Sequence, residues 1–245
     1  MKRVLFCLLA TLLTAQAIEV EITNEPHHHL TFENQSVRVF KVQVDPNAET
    51  LTHWHRHDYI AISLGPAEVS NTVKDKPPVT IKFQDGEARF TLATFAHFVR
   101  DLGDQPFRNV TVEILEDQSL RQPTPKSVPK PDPKRDSKRE EDRGLEVLRG
   151  GTKQILFVKD NIRATEFELR PGGVAPRLEY AGPHLFVAVT DLDLRENIKG
   201  EGLALAHYKS GESKWLLPNY SVSLTNAGAK PAKYVTLEWP QKALD

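Results

Sequence analysis

The sequence predicts an all-β protein in which one small closed fold is written twice. Three observations carry this expectation: an ungapped internal match at a constant offset, short strand-like patterns in both copies, and no convincing amphipathic helix. An offset of 125 residues lays Gly86-Glu87-Ala88-Arg89-Phe90 on Gly211-Glu212-Ser213-Lys214-Trp215. The same offset lays Val110-Thr111-Val112-Glu113 on Val235-Thr236-Leu237-Glu238. Val37-Arg38 falls on Ile162-Arg163, Pro46 on Pro171, Gly103 on Gly228 and Pro106 on Pro231. Chance gives short matches, but it does not hold one offset through most of two copies.

The first copy opens its strands at Ser36 to Val44, where apolar and polar residues alternate with the period of a half-buried strand. Arg163 to Leu169 repeats this in the second copy. Tyr59 to Leu64, Val110 to Leu115, Leu185 to Val189 and Tyr234 to Trp239 are further short runs of β-branched and aromatic residues. Pro-Asn, Asp-Gly and Pro-Gly pairs punctuate them. Many short strands at close spacing predict sandwiches or barrels. The two domains are expected over 20–117 and 145–240.

Between them, residues 118–144 form an expected linker. Positions 118–143 hold five prolines and thirteen charged residues. Proline removes backbone donors, and such a composition buries too little surface to offset its ordering entropy. At the other end, residues 1–17 read as a secretory signal. Lys2 and Arg3 precede the apolar run Val4 to Leu13, and Ala15-Gln16-Ala17 offers small residues at the cleavage positions. That run is shorter than the roughly 20 residues a bilayer span needs. Cleavage after Ala17 puts Ile18 at the mature N-terminus and the product in a periplasm or outside the cell. Cys7, the single cysteine, lies inside this segment, so the mature chain has no thiol. Any bound metal must then rest on nitrogen and oxygen. The net charge of −1 gives no reason to expect nucleic acid or an acidic membrane as partner.

The histidines carry the functional reading. In His53-Trp54-His55-Arg56-His57-Asp58, an extended chain puts His53, His55 and His57 on one face, about 7 Å apart in succession. Imidazoles so placed can converge on a metal, and a ligand from a distant strand would close the site. His97, in the apolar stretch Phe95-Ala96-His97-Phe98, is the candidate, because a lone buried imidazole needs a partner. His27-His28-His29, after Pro26, reads as a solvated run, and His184 and His207 as structural or surface residues.

These residues resemble the two motifs of the cupin superfamily. The first motif there runs glycine, five residues, His-x-His, three or four residues, glutamate, six residues, glycine. Asn47, His53, His55 and Gly65 stand at those places, Asp58 stands in for the glutamate after a gap of two residues, and Gly172 restores the glycine in the second copy. Gly86, Leu92, Thr94, His97 and Asp101 fall at the places of the second motif, whose spacing is kept although Leu92 and Thr94 replace its turn residues. The resemblance implies two cupin-type β-barrels and makes His53, His55 and His97 metal ligands in the first. For the fourth place it leaves Asp58, His57 or a water, with Asp58 favoured by its distance to Gly65. In the second copy the offset replaces His53, His55, His57 and His97 by Leu178, Tyr180, Gly182 and Val222, and Asp58 by Pro183. The histidines are thus dispensable for the fold, which favours a function for them.

A site of histidine and carboxylate with open positions suits divalent Fe, Mn, Ni, Zn or Cu. Trp54, Tyr59, Phe83, Phe90, Phe95 and Phe98 are candidates to line a pocket beside it, though strand spacing makes most of them core. Arg56, Arg89, Arg100 and Arg108 are candidates to meet an anionic ligand. The sequence then leaves three readings: an oxygenase or isomerase acting on a small organic molecule, a non-catalytic binder of a small ligand or metal, and a structural pair whose second barrel packs or dimerises. No Ser/His/Asp arrangement and no phosphate-cradling glycine loop is present.

Overall fold

In the computed structural model, residues 18–115, 144–159 and 162–239 are described. The signal segment and positions 118–143 of the linker lie outside them. The described chain is almost entirely β-strand, with one 3-10 turn at Ile22–Asn24 and no α-helix. Among these residues no helix is long and apolar enough to cross a membrane.

In the first half the strands are β1 (Glu19–Glu21), β2 (His28–Glu33), β3 (Val37–Val44), β4 (Thr52–His55), β5 (Tyr59–Ser63), β6 (Ala67–Val73), β7 (Val79–Phe83), β8 (Ala88–Thr91), β9 (Phe95–Asp101) and β10 (Phe107–Ile114). They form two five-stranded sheets, ordered β1-β4-β9-β6-β7 and β2-β3-β10-β5-β8. The second half holds β11 (Glu146–Lys159), β12 (Ile162–Tyr180), β13 (His184–Ala188), β14 (Leu192–Ile198), β15 (Gly202–Tyr208), β16 (Ser213–Leu216), β17 (Tyr220–Asn226) and β18 (Ala232–Glu238). Here β12 runs through the places of both β3 and β4, so what were two sheets are joined as one.

The duplication holds at the level of register. Val112 pairs with Val39, and Leu237 with Ala164, each partner 125 residues on. A bulge between Leu30 and Phe32, where β2 meets β3, recurs between Ile155 and Phe157, where β11 meets β12. Left-handed backbone recurs as well: Asn47 (φ 63) matches Gly172 (φ 74), and Thr94 (φ 70) matches Asn219 (φ 64). The turn at Asn47 needs positive φ, which explains why Asn and Gly alternate there.

The central strands are buried on both faces. On β3, β5 and β10, Val39, Ile60, Ile62, Val110 and Val112 join Ala164, Leu185, Val187, Val235 and Leu237 in one core between the halves. Each such valine, isoleucine or leucine side chain contributes roughly 1.5–3 kcal/mol when fully buried. The opposite faces of these strands line the interiors, and there the halves differ. Ala61 and Asn109 of the first half become Phe186 and Tyr234, whose rings lie 4.9 Å apart and fill the second interior with Phe167 and Tyr208. A cavity of about 600 Å³ remains in the first half, against about 20 Å³ in the second.

Candidate metal centre

β4 and β9 are antiparallel neighbours, and His53 stands directly opposite His97 in their register. Opposed residues have Cβ atoms only about 4.5–5.5 Å apart, and the two ring centroids are 4.6 Å apart. His55 follows two residues along on the same face, 5.1 Å from His53 and 4.9 Å from His97 between centroids. One ring nitrogen from each of the three lies within 4.8 Å of the others, and all three residues are buried. Trp54 points the other way, where its indole N–H donates to Glu19 and the Arg56 guanidinium covers its ring.

The outward nitrogens are held. His53 Nδ1 donates to the Leu51 carbonyl at 2.9 Å, and His97 Nδ1 to Asn71 Oδ1 at 2.6 Å. Both bonds fix the tautomer that leaves Nε2 as a lone pair facing inward. His97 Nε2 meets His55 Nε2 at 3.0 Å, a contact that needs a proton on one of the two. His53 Nε2 and His55 Nδ1 are buried with no hydrogen-bond partner. An unpartnered buried polar atom costs about 1–3 kcal/mol. A divalent ion among the three inward nitrogens would remove that cost for His53 Nε2, so the residues fit a metal.

Burial dominates the electrostatics. It pushes the His53 pKa down to about 4, with the neighbouring His28 adding to the shift. Burial also holds His55 and His97 well below the usual imidazole range, helped by the other rings. Neutral imidazole is the form that ligates, so the site is poised for a cation without a proton to displace from each ring.

The structure brings neither Asp58 nor His57 to this group. β4 ends at His55, the chain bends at His57, and the alternation that would aim its ring inward stops there. His57 is half-buried, and burial and the nearby Arg38 lower its pKa. Asp58 is buried, and its Oδ1 accepts the Ala93 N–H at 2.7 Å, pinning the β8–β9 turn. The sequence reading placed His28 in a solvated run. Instead it lies on β2 with a side chain only 6 % exposed, its ring 4.6 Å from that of His53. Tyr59, Phe83, Phe95 and Arg89 line the 600 Å³ cavity, whereas Trp54, Phe90 and Phe98 do not.

No protein-family model matches the sequence, and no curated protein does. Solved structures match in fold. Oxalate decarboxylase from Bacillus subtilis at pH 4.6 superposes with a TM-score of 0.57 and 14% identity over 83% of this chain and 68% of that one. AerE from Microcystis aeruginosa gives a TM-score of 0.61 and 14% identity, covering 88% of this chain and 94% of that one. The fold is of the cupin type. A B. subtilis oxalate decarboxylase structure concerned with that enzyme's Mn(II) centres gives 0.58 at 12% identity, over 91% of this chain and 77% of that one. Among the described residues, the histidine cluster lies in the first half only. In the second half, Leu178 faces Val222 in the register that opposes His53 to His97.

Proposed function

We propose that this chain is an exported cupin that binds one divalent transition metal and a small organic molecule in its first barrel, and acts on that molecule as an oxygenase or isomerase. One observation carries the reading: three buried histidines with inward nitrogens form part of the wall of a 600 Å³ cavity, while the second half has Leu178, Tyr180 and Val222 at their places and a cavity of only about 20 Å³. A bound divalent ion supplies Lewis-acid polarisation of a substrate oxygen or, if redox-active, access to dioxygen chemistry. The chain's own residues do the rest. Leu51 and Asn71 keep the ligand rings oriented. Val42, Val69, Ile81 and Phe83 give the cavity an apolar wall that excludes water, and Asn109 and Thr111 offer polar contacts. The cationic lining residues are Lys76 and Arg89, so neutral or anionic molecules suit the cavity better than cations.

A second reading, a non-catalytic binder, is favoured by one feature. Among the described residues, no carboxylate lines the cavity to serve as a general acid or base.

Elemental analysis of the mature, untagged protein tests the first part: about one ion per chain is expected, lost in His53→Ala. Two ions per chain would contradict the restriction to the first half. Turnover of small organic acids and phenols by the loaded protein, abolished in His97→Ala with the fold kept, separates enzyme from binder. Export is tested by sequencing the N-terminus of the protein recovered outside the cytoplasm, which should begin at Ile18.

A further inference from the structure

The three imidazoles would hold an ion from one sheet, and Asp58, the carboxylate expected at the fourth place, accepts the Ala93 N–H instead. The opposite sheet supplies another imidazole. His28 is on β2, at the edge of that sheet, and lines the same cavity as His53, His55 and His97. Its centroid distance to His53, 4.6 Å, equals that between His53 and His97. Phe40 meets its ring edge-on at 6.0 Å.

The His28 ring is held by a built device. Its Nδ1 donates to Glu25 Oε2 at 2.6 Å, which leaves Nε2 as the free nitrogen. Glu25 is itself buried, and it also accepts the backbone N–H groups of His27 and Leu51 and the His27 ring. Leu51 in turn accepts the proton of His53 Nδ1 through its carbonyl. One carboxylate therefore sets the orientation of His28 directly and of His53 through one residue, Leu51. A carboxylate behind a histidine is the arrangement that orients metal-binding imidazoles in general.

The second half provides an internal control. The pairing of β11 with β12 puts Lys153 opposite Phe167, as β2 with β3 puts His28 opposite Val42. The offset turns Glu25 into Gly150. Lys153 reaches instead to the exposed Glu146 at 2.9 Å. The pair of Glu25 and His28 is thus absent from the half that lacks the other three histidines.

We propose that His28 is the fourth protein ligand of the metal in the first barrel, and that Glu25 is the residue that positions it. This rests on the metal-binding reading above. Its ring is not among the three whose nitrogens lie within 4.8 Å of one another, so ligation requires it to turn inward on loading.

Co(II) binding to the full chain tests this, read as affinity against a chelator and as the visible d–d spectrum. Wild type should bind one Co(II). His28→Ala should weaken binding at least 10-fold and change the spectrum, and His28→Gln, which keeps a partner for Glu25, should do the same if the alanine variant folds poorly. Glu25→Gln should weaken binding about 10–100-fold, the scale of a carboxylate behind a ligand, with the spectrum retained. A wild-type spectrum from both His28 variants would overturn the assignment, even if affinity fell. Absence of Co(II) binding by wild type would sink the metal reading itself.

Discussion

His184 lies flat against Tyr180, with ring centroids 3.8 Å apart and planes at 14°. In the first half the equivalent pair is His55 on Tyr59, at 4.0 Å and 20°, with the two residue types exchanged between the strands. The stack is therefore a feature of the fold, and the position of the histidine within it decides what it can do. On β4 the imidazole meets two other histidines. On β13 it meets Tyr180 and Tyr220, and among the described residues it joins no metal-holding cluster.

The exchange has a consequence in acid. His184 is 1 % exposed, its Nδ1 has no partner, and burial pushes its pKa down to about 4. Unfolded, it titrates near 6.5, so between these values the unfolded chain binds the extra proton. Stability is then present above pH 6.5 and is lost as pH falls toward 4, with about 2 kcal/mol gone between pH 7 and pH 5 from this group alone. His184→Phe keeps the stacked ring and removes the proton site. Urea unfolding of metal-free protein at both pH values should show the variant losing about 2 kcal/mol less than wild type. Parallel pH profiles would contradict the buried neutral state.

Thr94 stores strain beside the cavity. Its φ is 70, and a β-branched residue tolerates that region poorly, yet its N–H donates to the His55 carbonyl at 2.9 Å and holds the turn into β9. Left-handed backbone costs an L-residue about 1–2 kcal/mol, and glycine gives back about 0.5–1 kcal/mol in entropy. Thr94→Gly should therefore raise metal-free stability by an amount of order 1 kcal/mol, seen as a higher melting temperature. Asn219→Gly, at the equivalent turn, should change little, because asparagine accepts this conformation. A destabilised Thr94→Gly would mean that the threonine side chain makes a contact worth more than the strain.

Much of this was legible from residues alone, for a physical reason. Period-2 alternation places His53 and His55 on one face wherever the strand persists, and a lone imidazole in Phe95-Ala96-His97-Phe98 has few other uses. The same rule misled at His57, because alternation says nothing about where a strand stops, and β4 stops at His55. Asp58 fitted a spacing, but its carboxylate is used by a backbone N–H that only the folded turn brings near. His28 was hidden for the opposite reason. A run of three histidines looks solvated, and only the strand pairing shows that one of them turns inward while its neighbour His29 is exposed. A signal was available in the offset, since Glu25 and His28 become Gly150 and Lys153 along with the loss of the other histidines.

The second half also shows the same fold without the histidine cluster. Leu178 occupies the place of His53 and packs against an apolar core that includes Val222. In the metal-free first half, His53 buries an unpartnered Nε2, and the Leu51 carbonyl that it contacts belongs to a residue 41 % exposed, where water can replace it. His53→Leu should consequently raise the stability of the metal-free protein by about 1–3 kcal/mol, the cost of an unsatisfied buried group. With Zn(II) at a hundred times its dissociation constant, wild type should gain about 2.7 kcal/mol and the variant nothing. The two urea midpoints should then draw together or cross on adding metal, the signature of a residue kept for binding at the expense of the empty fold. A metal-free His53→Leu that unfolds earlier than wild type would show that the imidazole supports the barrel itself.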